Sequence, residues 1–173
     1  MPLLSRWKNR LIAWFATRIP AFARRLVAAY RPWESRGEIP WTPARKPLAQ
    51  CRVAVVTTTG VHHPFQPPFD MQDPEGDPSF RALQADEIDA SYQITHDYYD
   101  HSDARQDLNI ILPLDRLREL VAEGVVGELA ATHYSFMGHV DGRHIPTLIA
   151  KSAREVAARL KESGVDVVLL TPG

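Results

Sequence analysis

Apolar residues recur at helical spacing from the start of the chain. Leu4, Trp7, Leu11, Trp14, Phe15 and Ile19 form one stripe, with Arg6, Lys8, Arg10 and Arg18 between them. This predicts an amphipathic helix over residues 3–19, broken or kinked at Pro20. A second short helix, about 21–31, carries Phe22, Leu26, Val27 and Tyr30 beside Arg24, Arg25 and Arg31. Residues 32–49 hold Pro32, Pro40, Pro43 and Pro47 with Trp33 and Trp41, the composition of an extended linker. From residue 50 the pattern changes. Val53-Ala54-Val55-Val56-Thr57-Thr58 is a run without alternation, as in a strand buried on both faces.

Five prolines (Pro64, Pro67, Pro68, Pro74 and Pro78) keep residues 61–81 in a long loop, functional or disordered. Ile88–Ile94 is a candidate short strand. Pro113 should occupy the first position of a helix whose apolar face is Leu114, Leu117, Leu120 and Val121, ending at Gly124. Val125–Thr132 is too short to assign by period. Leu148, Ile149, Ala153, Val156 and Leu160 line one face of a helix over Ile145–Ser163, which stops at Gly164. The chain then runs into Val165–Leu170, a second continuous apolar strand. Helix followed by buried strand is the unit of a parallel sheet. The expected fold is α/β, a mostly parallel sheet flanked by helices, with Val53–Thr58 and Val165–Leu170 both central. An N-terminal amphipathic helical arm (1–31) and a Pro/Trp-rich linker (32–49) precede the domain, which occupies 50–173.

Charge sharpens this division. Residues 1–50 hold ten Lys/Arg against two Asp/Glu, and residues 51–173 hold ten against nineteen. Basic residues interleaved with Trp and Phe suit an interfacial membrane helix, or an arm that buries its apolar stripe on the domain or on a partner chain. Docking is preferred, and the acidic remainder argues against nucleic acid. No run approaches the roughly 20 apolar residues of a membrane span. Arg18 interrupts what would be a signal-peptide core. Cys51 is the only cysteine, so neither an internal disulfide framework nor a Cys-rich zinc site is available. The chain reads as cytoplasmic.

Candidate chemistry concentrates in Thr95-His96-Asp97-Tyr98-Tyr99-Asp100-His101-Ser102-Asp103. Imidazoles with carboxylates suit Zn or Fe, but the spacing matches no standard metal motif. A polar pocket wall is preferred, with His96 or His101 as proton donor and Asp100 or Asp103 orienting it. A turn satisfied by its own Asp and Ser side chains is the structural alternative. His62 and His63 follow the first strand, where ligands of open α/β sheets bind. His133 and Ser135 lie in a third polar, aromatic patch running to His139, without a nucleophile elbow. There is no GxGxxG and no P-loop. The pocket candidates are His62, His96, Asp100, His101, Asp103 and His133, with no metal assigned.

Five blocks resemble selenoprotein B of the glycine/sarcosine/betaine/D-proline reductase family, and among its members the shorter, D-proline reductase-like ones. They are Val55-Val56-Thr57-Thr58-Thr59-Gly60-Val61-His62, Gly76-Asp77-Pro78-Ser79-Phe80-Arg81, Thr95–Asp103, Pro113-Leu114-Asp115-Arg116-Leu117-Arg118-Glu119-Leu120 and His133-Tyr134-Ser135-Phe136-Met137-Gly138. The resemblance covers roughly residues 40–173. It implies a redox loop bearing selenocysteine or cysteine after the strand that matches Val165–Leu170. The nucleophile is then expected just after Gly173, and a UGA codon read as a stop would leave a chain ending at Thr171-Pro172-Gly173. The implied reaction is reductive cleavage of a C–N bond in an amino acid or related amine. The selenolate displaces the amine, and dithiols resolve the resulting selenenyl adduct. A pyruvoyl group is expected on a partner subunit. By this resemblance the 173 residues alone are an inactive scaffold. Two rival expectations are a non-catalytic subunit binding a partner through its Trp/Arg arm, and a metal-assisted hydrolase using His96, His101 and neighbouring carboxylates.

Overall fold

A computed structural model of the protein describes residues 3–29, 42–87 and 92–172. The arm is two helices, α1 (Leu3–Arg18) and α2 (Pro20–Ala29). Pro20 begins α2, where its missing N–H leaves no helical bond unmade. Tyr30, Arg31 and most of the predicted linker, including Trp33 and Trp41, lie outside the described residues. Ala13 is buried, yet Trp7, Leu11, Trp14 and Ile19 stay well exposed. The arm's apolar stripe is therefore only partly covered by the domain.

The sheet is built around β1 (Arg52–Thr57), whose Val53 to Thr57 are all buried. One edge of β1 takes β5 (Glu128–Leu129) and then β6 (Thr132–Phe136), both parallel to it. The other edge takes β7 (Val167–Thr171), parallel along the whole strand. β3 (Phe80–Gln84) closes the far side, antiparallel to β6. A separate ribbon pairs β2 (Val61–His62) with β4 (Gln93–Ile94). The remainder of the predicted strand at Ile88–Ile94 falls largely outside the described residues.

Two layers pack on this sheet. Val53, Val55 and Leu83 face Leu112, Leu114 and Leu117, the last two on α3 (Leu114–Ala122). Ala54, Val56, Tyr134 and Phe136 face Val156 and Leu160. These belong to α5 (Ala153–Glu162), which continues α4 (His144–Thr147) through a π turn at Leu148–Ser152. The helix expected at Ile145–Ser163 is thus present with a π interruption. Pro113 caps α3 rather than beginning it.

One expectation needs correction. β7 is parallel but not central, because only β1 pairs with it among the described strands, and Leu170 is 72% exposed. A continuous apolar run signals potential burial on both faces, not a neighbour on both edges. The sheet is mostly parallel, as expected, with β3 its one antiparallel strand among the described residues. The polar, aromatic patch at His133–Phe136, to which the sequence pattern assigned no element, is a fully buried stretch of β6. Its His and Ser alternate with Tyr and Phe, so polar side chains sit on one buried face and hid the strand signal.

Between Val53 and Val56 of β1, the adjoining chain advances from Leu129 to Tyr134, a bulge with extra residues on that side. The break would strand a buried backbone donor. His133 fills it, accepting the Val55 N–H at Nδ1 over 3.0 Å.

Candidate functional site

The chemistry-bearing residues collect where β1 ends. Thr58 N–H donates to Thr171 O (3.0 Å), tying β1 to the end of β7. Gly60 N–H donates to Phe136 O (2.9 Å), and Thr95 N–H to Gly60 O (2.9 Å). The carboxyl ends of β1, β6 and β7 and the Thr95–His96 turn are therefore one hydrogen-bonded layer. Thr57 and Thr171 both donate their hydroxyls to Ile111 O (3.0 and 2.8 Å). Thr59 then donates to Thr57 Oγ1 across 2.8 Å, since a hydroxyl has one proton to give.

Gly138, just past β6, has φ +87°, and a Cβ there would collide with Thr58 O and meet His96 Nε2 at 3.3 Å. Glycine lets these two segments close on each other. His96 is buried against Tyr98 and Tyr99, its ring 5.0 Å from that of Tyr99. Tyr98 N–H donates to His96 Nδ1 (3.0 Å), so the neutral ring carries its proton on Nε2, beside Gly138. Burial pushes His96 down to about 4, with His101 and His139 adding to the effect. At neutral pH it is a hydrogen-bond donor without charge.

Its neighbours hold it in place. Tyr99 O–H donates to Thr59 O (3.0 Å), and burial raises that phenol above its ordinary range. His62 is fully buried. Its Nδ1–H donates to His63 O (2.9 Å), leaving Nε2 to accept from the Thr95 hydroxyl (2.8 Å). Burial is the main reason its pKa is lowered.

The remaining sequence candidates divide. Asp100 and His101 belong to the same segment but lie further out, under α1. The Arg18 guanidinium 2.6 Å away holds the Asp100 carboxyl down to about 2, and Asp100 also accepts Ser102 N–H. Asp100 is thus oriented by the arm, while His96 is oriented by a backbone N–H. Burial, then Arg105 and Arg10, lower His101. Asp103 is exposed on a turn whose backbone oxygen accepts from Gln106 and Asp107. His133 is not in this layer: it plugs the bulge at Val55, and burial lowers it to about 4. Among the described residues, no three His, Cys, Asp or Glu side chains are grouped to hold a metal.

Sequence reasoning missed the threonine layer and the arm's contact with the His96–Asp103 segment. Thr57, Thr59 and Thr171 read as ordinary strand residues. Arg18 and Asp100 are 82 positions apart, with nothing local to relate them.

A polar layer at the carboxyl ends of parallel strands is the usual ligand-binding edge of an open α/β domain. The family model described as glycine/sarcosine/betaine reductase selenoprotein B matches residues 29–173, and the chain belongs to that family. The chain is 38% identical over 133 residues to the D-proline reductase subunit gamma of Acetoanaerobium sticklandii, covering 77% of this chain and 53% of that protein. It is 33% identical over 143 residues to the glycine reductase complex component B subunit gamma of Carboxydothermus hydrogenoformans, covering 81% of this chain and 32% of the relative. A betaine reductase complex component B subunit beta of Peptoclostridium acidaminophilum is 30% identical over 135 residues, covering 73% and 29%. The chain thus spans about half the length of the first relative and about a third of the others. No solved structure matches. No helix among the described residues is long and apolar enough to cross a membrane.

Proposed function

We propose that these residues form the substrate-facing scaffold of a cytoplasmic reductase subunit that reductively cleaves a C–N bond in an amino acid or related amine. Its partners would be a subunit bearing a pyruvoyl group and a dithiol electron donor. When present, a selenol or thiol nucleophile would form a bond to carbon as the C–N bond breaks, and the dithiol would return the two electrons. The single observation behind this reading is the position of His96. Its Nε2–H lies in the layer that joins the ends of β1, β6 and β7, where polypeptide following β7 would emerge.

The chain's own thiol is unsuited to the task. Cys51 is the only cysteine, is 2% exposed and precedes β1, at the opposite end of the strand from His96. Its Sγ–H lies 3.3 Å from Pro47 O. The nucleophile therefore belongs outside these 173 residues.

The described side chains would hold and orient. His96 Nε2–H would donate to an anion at the strand ends, either a substrate carboxylate or the attacking atom. Neutral at pH 7, it would do so without a charge to desolvate. Tyr99, Thr59 and the His62–Thr95 pair would keep the ring from turning. The test is dithiol-dependent amine release by the assembled complex carrying His96→Phe. Losing one preorganised donor should lower kcat roughly 10²-fold, with assembly intact on gel filtration. Undiminished turnover in a fully assembled variant complex would defeat this role.

A further inference from the structure

α1 does not lie flat on the domain. Between it and the His96–Arg105 segment is a cavity of about 530 Å³. Trp7, Trp14 and Phe15 supply one wall and Tyr99 the other, and two guanidiniums, Arg10 and Arg105, line it as well. Arg10 and Arg105 make no ion pair with a carboxylate among the described residues, whereas Arg18 and eight further Lys, Arg or His side chains do. Asp100, the one carboxylate on the lining, is already engaged by Arg18. Burial lowers the pKa of both His96 and His101, and Arg105 and Arg10 add to the lowering of His101. The wall is therefore aromatic, with two guanidiniums that no carboxylate pairs directly among the described residues. α1 also lies outside residues 29–173, the part that matches the family.

We infer that this cavity binds an organic monocarboxylate with a ring-sized apolar body, its carboxylate held by Arg10 and Arg105 and its body between the arm's aromatic residues and Tyr99. A guanidinium presents paired N–H donors that match a carboxylate. The apolar lining favours a body that water solvates poorly. An ammonium head would meet two like charges and be rejected. The arm would then set ligand choice, because it supplies Arg10 and most of the aromatic wall. The inference assigns a ligand class to the cavity beside the face discussed above, and it does not require that ligand to be the amine that is cleaved. Binding is measured without turnover, so an inactive complex would leave it standing.

The experiment is isothermal titration of the 173-residue chain with 3-phenylpropionate as probe. Parallel titrations use 3-phenylpropionamide, 3-phenylpropylamine and propionate. The carboxylate should bind saturably in roughly the micromolar to low-millimolar range, with the amide and propionate each about tenfold weaker or worse. The amine should not bind. Arg105→Gln and Arg10→Gln should each weaken the carboxylate about tenfold, with Arg105→Lys between them and the parent. Trp14→Leu should weaken 3-phenylpropionate but not change its preference over the amine. Arg116→Gln, on the exposed face of α3, should bind like the parent, and circular dichroism of each variant reports folding. Equal affinity for amine and carboxylate would overturn the inference. So would a folded Arg10→Gln/Arg105→Gln chain that binds unchanged, or no saturable binding of 3-phenylpropionate at all.

Discussion

Gly138→Ala should destabilise the domain far more than a glycine-to-alanine change usually does, because two separate terms act there. The first is conformational. At φ +87° an L-residue sits in the left-handed region, which is unfavourable by about 1–2 kcal/mol. The second is steric. The new methyl would run into the Thr58 carbonyl oxygen, a backbone atom held by β1, and press on His96 Nε2 at 3.3 Å. Forced overpacking of this kind costs about 1–3 kcal/mol, giving a combined loss of about 2–5 kcal/mol. Gly124→Ala supplies the reference. Its φ is +72°, but nothing lies within 4 Å of the added Cβ, so only the conformational term of about 1–2 kcal/mol should appear. Urea unfolding followed by circular dichroism measures both. With a slope of about 2 kcal/mol/M, the Gly138 variant should lose about 1–2.5 M in midpoint and the Gly124 variant less than about 1 M. If the two variants lose the same stability, Gly138 is not closing against Thr58, and the packed layer at the strand ends is wrongly described.

Acid should weaken the fold through His96 and His133, both at about 4 when folded against an ordinary 6.5. The unfolded chain then binds more protons between those values, so stability is full above pH 6.5, falls as the pH drops towards 4 and levels off below. The loss is up to about 3 kcal/mol per histidine. His133→Gln keeps an acceptor for Val55 N–H and should remove about half of the slope, and a urea midpoint that is flat from pH 7 to 5 would refute this. Arg18→Gln should speed proteolytic cleavage of the arm while changing global stability by less than about 1 kcal/mol, because Arg18 is 44% exposed. A large global loss with unchanged cleavage would mean the arm is integral to the core. Leu117→Ala, at the buried face of α3, should cost about 2–5 kcal/mol in the same urea assay, and a loss below about 1 kcal/mol would contradict its place in the core.

The local pattern revealed what depends on local physics. The arm helices, β1, α3 and the helix leading to β7 were all legible from period and from Pro and Gly punctuation. The position of β7 was not. Val167 to Leu170 look identical in sequence whether one or two strands flank them, and pairing is a long-range property. β6 was hidden because His133 and Ser135 occupy buried positions that normally hold aliphatic residues. His133 is buried there to satisfy Val55 N–H at a bulge, a need that arises only once β5 and β6 share an edge. At the site, the density of polar residues marked out the His96–Asp103 segment. Which atom orients which could not be read, since Tyr98 acts through its backbone and Asp100 through an arm 82 positions away.

The central claim is that the reaction face lies at the carboxyl ends of β1 and β7 and draws its nucleophile from outside these residues. Alkylation of the assembled, dithiol-reduced complex with iodoacetamide tests it most directly, with residual amine release compared to the sites modified by mass spectrometry. Activity should fall as a selenol or thiol elsewhere in the complex is capped, while Cys51, 2% exposed, stays unmodified. Activity that falls in step with modification of Cys51, or amine release that survives complete capping of every other selenol and thiol, would contradict it.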